Sequence, residues 1–85
     1  MNLLWSEEGW EDYVHWQGTD RGAVRRINAL IADIRRNRFA GIGKPEPLQG
    51  NLNGWWSRRI SNEHRLVYRV NENQIIIAQL RFHYS

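Results

Sequence analysis

The chain has 85 residues, 41% of them hydrophobic and none of them Cys, and its formal net charge is +3. This length and composition predict one densely packed domain, residues 1–85, and exclude a disulfide framework and a thiolate zinc site. No stretch approaches the ~20 apolar residues of a membrane span, and acidic residues follow the first apolar stretch too closely for a signal peptide. We therefore expect a cytoplasmic protein that does not contact the membrane.

The first predicted elements are a short strand, Leu3–Trp5, and a helix behind it. Ser6 is a suitable N-cap, and Glu7 and Glu8 lie in the first turn, where the helix dipole favours negative charge. Apolar and aromatic residues then recur at helical spacing until residues 18–20 interrupt the pattern.

A second helix follows, capped by Thr19 or by Asp20. Its apolar residues form one stripe, and its Arg residues lie off that stripe. The stripe consists of Val24, Ile27, Leu30, Ile31 and Ile34. Two antiparallel helices joined by a tight turn are the simplest arrangement of this part of the chain.

The pattern changes to strands after a loop rich in Gly and Pro, residues 41–47. Three strands are predicted at Trp55–Ile60, Arg65–Val70 and Gln74–His83, and short turn-forming segments separate them. The order of elements is therefore β-α-α-β-β-β. This order predicts an α+β fold in which two helices pack on a small, mostly antiparallel sheet.

The length of the last turn decides on which face of the sheet Arg65 lies. A three-residue loop, residues 71–73, places Arg65 on the same side as Arg81 and His83. A two-residue loop, residues 72–73, places it on the opposite side, because a slip of one residue flips a strand. We expect the three-residue loop, since it keeps Leu66 and Tyr68 together with Leu80 and Phe82 in the core.

The basic residues are concentrated in the later part of the chain. Residues 1–20 carry five acidic side chains and no Lys or Arg, whereas residues 21–85 carry twelve basic side chains and four acidic ones. Eleven of the twelve are Arg, whose planar guanidinium grips phosphate in two places and stacks on bases. The distribution indicates a polyanionic partner, and a solvated basic surface is the alternative.

A candidate catalytic arm lies in the sequence KPEP, residues 44–47. Lys44 and Glu46 each precede a Pro, which pushes both toward extended conformations, and the two Pro have a fixed φ. The result is a stiff arm with one cation and one carboxylate. The alternative is a rigid connector between helix and sheet.

These residue types suit the cleavage of RNA by its own 2′-OH. Such cleavage needs a base for the 2′-OH proton, a cation for the phosphoryl oxygens and an acid for the departing 5′ oxygen. Glu46 is charged at neutral pH and suits the base, and His83 suits the acid. Arg65, Arg81 or Arg59 can hold the phosphate.

Aromatic residues near these positions suit base stacking. Tyr84 and the pair Trp55–Trp56 are the candidates, although Tyr84 and one of the two Trp can equally belong to the core. The route needs no cofactor, and three His residues without HExxH spacing do not predict a metal site. A single His at a chain end is also compatible with an ordinary surface residue.

Five motifs, taken together in this order, resemble the YoeB toxins of the RelE superfamily. They are WSEEGWEDY, GKPEPL, GWWSRRI, EHRLVY and RFHY, and the resemblance runs in register over essentially the whole chain. It implies a RelE-like fold and the toxin of a type II toxin–antitoxin system. The implied activity is that of a ribosome-dependent endoribonuclease, or mRNA interferase, which cuts mRNA in the decoding site and inhibits translation.

The resemblance also implies partners and roles for individual residues. The partners are the ribosome with its mRNA, a YefM-type antitoxin, operator DNA bound through the antitoxin complex, and a second copy of the chain in a homodimer. The implied catalytic residues are the base Glu46, the phosphate-stabilising Arg65, the acid His83, and Tyr84, which shapes the site. Lys44 and Arg59 are similar to family positions that contact RNA or support the site.

Three positions depart from the family pattern. Gln49 stands where a basic residue often follows the Leu of GKPEPL, Phe82 replaces a frequent Tyr, and Ser85 extends past the usual terminal Tyr. The alternative function is a non-catalytic, basic nucleic-acid-binding module that acts with its antitoxin as a transcriptional repressor.

Overall fold

Two helices pack on a mixed sheet of five strands in residues 1–83, the part of the chain that the computed structural model describes. The elements are β1 Asn2–Trp5, α1 Glu7–Thr19, α2 Arg21–Arg36, β2 Glu46–Pro47, β3 Trp56–Arg59, β4 Arg65–Asn71 and β5 Gln74–Gln79, with a 3-10 turn at Gly50–Leu52. The predicted α+β class is confirmed. No helix within these residues is long and apolar enough to cross a membrane.

The strands are ordered β1-β5-β4-β3-β2. β1 and β5 are parallel, and the other three pairs are antiparallel, so the sheet is mostly antiparallel as predicted. β2 is a strand that the sequence pattern did not predict, because it consists of only Glu46 and Pro47. It lies at the edge of the sheet, where the missing N–H of a Pro is tolerated.

Both helices begin at the predicted caps. The Ser6 side chain accepts a hydrogen bond from the Gly9 N–H, and of the two candidates for α2, Asp20 is the one that accepts from the Ala23 N–H. The predicted stripe of α2 forms the centre of the core, where Ile27, Leu30, Ile31 and Ile34 are buried.

The face of α1 that packs on the sheet is not the face that the spacing of its aromatic residues indicates. Its buried residues are Gly9, Asp12 and Trp16, whereas Trp10 is 50% exposed. Gly9 allows the close approach of α1 to β5, since a Cβ at this position would lie 2.5 Å from the carbonyl oxygen of Ile77. The small residue therefore decides which side of the helix is buried.

The turn between β4 and β5 has two residues, so the predicted three-residue loop is wrong. A β-bulge in β5 compensates for the residue that the shorter turn lacks. Tyr68 pairs with Ile77 and Val67 pairs with Gln79, so Ala78 is an extra residue of β5 without a partner in β4. Arg65 alternates with Val67 and therefore lies on the same side as Gln79.

β5 ends at Gln79, so the predicted strand Gln74–His83 is too long. The backbone groups of Leu80 pair with α1 instead of with a neighbouring strand: its N–H donates to Asp12 Oδ2 at 2.9 Å, and its carbonyl accepts from Trp16 Nε1 at 2.9 Å. The chain then bends, and Phe82 has a φ of 61°. Phe82 is 56% exposed, which corrects its predicted place in the core.

A substitution of Trp16 tests how much its hydrogen bond to the Leu80 carbonyl stabilises the fold. Trp16→Phe keeps an apolar ring but leaves the buried carbonyl of Leu80 without its donor, which we expect to lower the free energy of unfolding by about 1–3 kcal/mol. Trp10→Phe, at an exposed position of the same helix, should change it by no more than about 0.5 kcal/mol. Urea titrations would measure both, and equal losses in the two variants would argue against the role of this hydrogen bond.

Candidate active site

One row of paired residues crosses four strands on the sheet face opposite the helices. Glu46 of β2 pairs with Ser57, Ser57 with Val67, and Val67 with Gln79 of β5. Directly paired residues of antiparallel strands project from the same face. Three inter-strand spacings of about 4.8 Å separate the backbones of Glu46 and Gln79 by about 14 Å. We call this face, on which neither helix packs, the open face, although the central residues of the row, Ser57 and Val67, are themselves buried.

Two Arg residues extend the open face beside this row. Arg59 and Arg65 pair directly across β3 and β4, two residues along from Ser57 and Val67, so they project from the same face. Arg59 is exposed, whereas Arg65 is only 9% exposed. Two of the predicted phosphate-binding residues are therefore neighbours on the face that carries Glu46.

Arg65 is held in place by the turn between β3 and β4. Its Nη1 donates to the carbonyl oxygens of Ser61 at 2.7 Å, Asn62 at 3.2 Å and His64 at 3.2 Å. These bonds fix one end of the guanidinium, so its orientation costs little additional entropy when a ligand binds.

The backbone of His83 approaches the open face through a turn rather than through strand alternation. Gln79 Nε2 donates to the carbonyl oxygen of Arg81 at 3.1 Å and to that of His83 at 3.3 Å. The segment after β5 therefore folds back over Gln79, at the end of the row that begins with Glu46. His83 is exposed there, and Tyr84, the remaining predicted catalytic residue, lies outside the described residues with Ser85.

Arg81 is partly buried beside this turn. Its guanidinium lies 4.9 Å from the ring centroid of Phe82, and its buried Nε has no hydrogen-bond partner in residues 1–83. A buried donor without an acceptor is rare in folded proteins, and an anion would reach this one only after the residues around it moved.

Lys44 does not adopt the predicted extended conformation. Its φ is 50°, and Gly43 before it has a φ of 82°. The Gly43 carbonyl accepts a hydrogen bond from the Arg59 N–H at 2.7 Å, so the segment before β2 is already attached to the end of β3. Only Glu46, in β2, has the extended backbone that its following Pro favours. Lys44 itself is exposed.

The loop that leads to Glu46 is held by a buried Arg that the sequence analysis did not single out. Arg58 is fully buried, and its Nη1 lies 2.6 Å from Asp33 Oδ2. Its remaining hydrogen bonds go to the carbonyl oxygens of Asn37, Ala40 and Ile42 and to the hydroxyl of Tyr68. Strand alternation could have revealed it, since Arg58 lies on the same side of β3 as Trp56.

The same network shifts two pKa values. The hydrogen bond from Arg58 and the backbone N–H of Ile42 lower the pKa of Asp33 below its ordinary 3.8. Burial raises the pKa of Tyr68, whose hydroxyl donates to the carbonyl of Arg38 at 2.7 Å.

The lowered pKa of Asp33 predicts a pH-dependent stability. A carboxyl whose pKa is lower in the folded than in the unfolded chain stabilises the fold above its unfolded pKa, and that contribution is lost as the pH falls through the folded pKa. We expect the wild type to lose more stability than Asp33→Asn between about pH 6 and about pH 2.5. Urea unfolding over this range measures the difference, and parallel pH profiles would contradict the expectation.

Comparisons with known proteins place this fold in a class of bacterial toxins. The structure of YafQ from Escherichia coli superposes with a TM-score of 0.80 at 14% sequence identity, which supports the fold alone. The structure of a YoeB/ParE toxin from Agrobacterium tumefaciens superposes with a TM-score of 0.96 at 51% identity and covers 99% of this chain and 100% of that chain. The molecule thus has the fold of YoeB- and RelE-like toxins.

The family follows from sequence. A family model described as the YoeB-like toxin of bacterial type II toxin–antitoxin systems matches residues 5–84. Toxin YoeB of Escherichia coli (strain K12) is 58% identical over 84 residues, which cover 99% of this chain and 100% of that relative. The chain belongs to the YoeB-like toxin family, as its five motifs predicted.

Solved structures of YoeB from Staphylococcus aureus include a dimer and a YoeB–YefM complex. They superpose with TM-scores of 0.93 and 0.92 at 48% and 47% identity, and each comparison covers 99% of this chain and 98% of that one. That protein thus assembles both with itself and with YefM.

Proposed function

We propose that this toxin is a ribosome-dependent mRNA endoribonuclease of the cytoplasm, formed by a single domain that spans residues 1–85. Membership of the YoeB-like family supports a toxin of a type II system. The observation that supports catalysis is the row from Glu46 to Gln79, because the turn after Gln79 brings His83 to the far end of the face that carries Glu46.

Glu46 acts as the general base in this proposal. Its carboxylate is exposed on the edge strand and takes the proton from the ribose 2′-OH. The 2′ oxygen attacks the neighbouring phosphorus, and negative charge builds up on the phosphoryl oxygens. Arg65, already oriented by three carbonyls, stabilises that charge without a large loss of side-chain freedom.

His83 acts as the general acid. Its imidazolium gives a proton to the 5′ oxygen as the bond from phosphorus to that oxygen breaks, which leaves a 2′,3′-cyclic phosphate and a 5′-OH end. The backbones of Glu46 and Gln79 are about 14 Å apart, so one nucleotide fits between the base and the acid. Tyr84, the next residue in the sequence, is assigned the role of shaping the site.

Lys44, Arg59 and Arg81 bind the RNA backbone in this proposal. Lys44 and Arg59 are exposed cations that lie toward the same end of β2, two residues from the Glu46–Ser57 pair. Arg81 binds a phosphate oxygen through its guanidinium, whose Nε has no hydrogen-bond partner within residues 1–83. This reaction draws on no cofactor, and within residues 1–83 no three His, Asp or Glu side chains are grouped closely enough to hold a metal ion.

A YefM-type antitoxin is the proposed inhibitor, as the complex of the Staphylococcus aureus relative supports. An acidic segment that folds on binding would neutralise the basic open face. Operator DNA would be bound through that complex, and the dimer of the same relative supports a homodimer.

Primer extension on mRNA in a translating extract tests the proposal. The wild-type toxin should create new 5′-OH ends within translated codons, and the ends should disappear when initiation is blocked. The alternative function, a non-catalytic repressor module, predicts salt-dependent binding to DNA or RNA without new ends. Binding without cleavage would therefore contradict the nuclease and favour the repressor.

A further inference from the structure

The backbone of Phe82 is held on both sides by the turn before β4. Its N–H donates to His64 Nδ1 at 2.7 Å, and its carbonyl accepts from the Arg65 N–H at 3.1 Å. Phe82 has a φ of 61°, a left-handed conformation that an aromatic residue adopts only when its surroundings impose it. The two bonds supply that constraint directly before His83.

The ring of His64 is itself fixed in position. It lies between two aromatic rings, with centroid distances of 4.8 Å to Trp16 and 5.4 Å to Phe82. Its backbone N–H donates to Ser61 Oγ, and only 16% of its side chain is exposed. The imidazole is therefore aimed at the Phe82 amide by packing as well as by the turn.

The hydrogen bond assigns a tautomer to His64. Nδ1 accepts, so the proton of the neutral ring is on Nε2, where the Glu63 carboxylate lies 3.6 Å away. Because Nδ1 of His64 accepts a hydrogen bond from the Phe82 backbone, it helps to fix the position of Phe82 and is not available to transfer a proton to substrate.

We propose that His64 is a positioning residue for catalysis, which sets the place of the His83 imidazole on the open face by holding the Phe82 amide. This inference rests on the proposed function, in which His83 is the acid. The strand before this segment has its own attachment, because Asp12 and Trp16 hold Leu80. Loss of His64 should therefore loosen the backbone at Phe82, although residues 81–83 keep their bonds to Gln79 and Arg65, and should leave the fold intact.

Three variants separate this role from general packing. His64→Ala removes the acceptor. His64→Asn keeps an acceptor, since its Oδ1 can occupy the place of Nδ1, whereas His64→Gln retains bulk but carries its amide group farther out. We expect His64→Ala and His64→Gln to lower kcat for mRNA cleavage on the ribosome about 10- to 100-fold with little change in KM, and His64→Asn to recover most of the loss.

Amide hydrogen exchange of the free toxin by NMR gives a readout that does not depend on cleavage. The Phe82 amide should exchange slowly in the wild type and in His64→Asn, and fast in His64→Ala and His64→Gln, while amides of β5 stay protected. A Phe82 amide that remains protected in His64→Ala, an unchanged kcat, or a failure of His64→Asn to recover activity would overturn the inference. A wild type that does not cleave mRNA would instead contradict the proposed function.

Discussion

Replacing Glu46 with Gln is expected to lower the rate of mRNA cleavage on the ribosome by about 100- to 10,000-fold. An amide cannot take up the proton of the 2′-OH, although it has nearly the size of the carboxylate. His83→Gln should lower the rate by a similar factor, because the 5′ oxygen must then leave without a proton. Ribosome binding should remain, since both side chains are exposed and neither supports the fold.

Glu11→Gln and His15→Gln are matched controls for these two variants. Both residues lie on α1, in the helical layer on the opposite side of the sheet, and the same change of side chain there should leave the cleavage rate unaltered. Single-turnover cleavage on programmed ribosomes measures all four rates. Wild-type rates in Glu46→Gln and His83→Gln would show that the assigned roles are wrong.

Arg58→Ala is expected to lower the free energy of unfolding by about 3–5 kcal/mol, the range for breaking a buried ion pair by removing one partner. The substitution leaves Asp33 without its cation and deprives three loop carbonyls of their donor. Because these carbonyls belong to residues 37–42, the loop that leads to Glu46 should also become mobile. Urea unfolding and hydrogen exchange of the loop measure the two effects.

The neighbouring residue is the control for this substitution. Arg59 has the same side chain and lies in the same strand, but it is exposed on the open face. Arg59→Ala should change the free energy of unfolding by no more than about 0.5 kcal/mol. Equal unfolding midpoints for the two variants would refute a special structural role for Arg58.

The parts of the fold that depend on local patterns could be predicted from the sequence. The stripe of α2, from Val24 to Ile34, follows from helical periodicity alone, and it forms the core as expected. Ser6 caps α1 because a hydroxyl before acidic residues is a local signal. The choice between Thr19 and Asp20 needed the structure, since both side chains are able to cap.

The end of β5 could not be predicted, because residues far away in sequence decide it. Asp12 and Trp16 bind the backbone of Leu80 across sequence separations of 68 and 64 residues. The bulge opposite Val67 and Tyr68 likewise cannot be recognised from the alternation of side chains along the strands. The predicted turn length was therefore wrong, while the predicted side of Arg65 was right because the bulge compensates for the shorter turn.

Residue types suggested the chemistry of the candidate site, but the sequence did not predict how its residues are arranged in space. The types of Glu46, Arg65 and His83 suggested acid–base cleavage, and the five motifs predicted the family. The turn that carries His83 depends on the side chain of Gln79, and the placement of Phe82 depends on His64. Neither contact leaves a periodic signal in the sequence.

The proposed mechanism has Glu46 and His83 act from one face of the sheet on a ribose 2′-OH. It is tested most directly by single-turnover cleavage of an mRNA on the ribosome that carries one 2′-deoxynucleotide at the mapped cleavage position. We predict that cleavage at this position is lost while the toxin still binds the ribosome. Cleavage of the deoxy-substituted mRNA at the same bond and at the rate of the unmodified mRNA would contradict this mechanism.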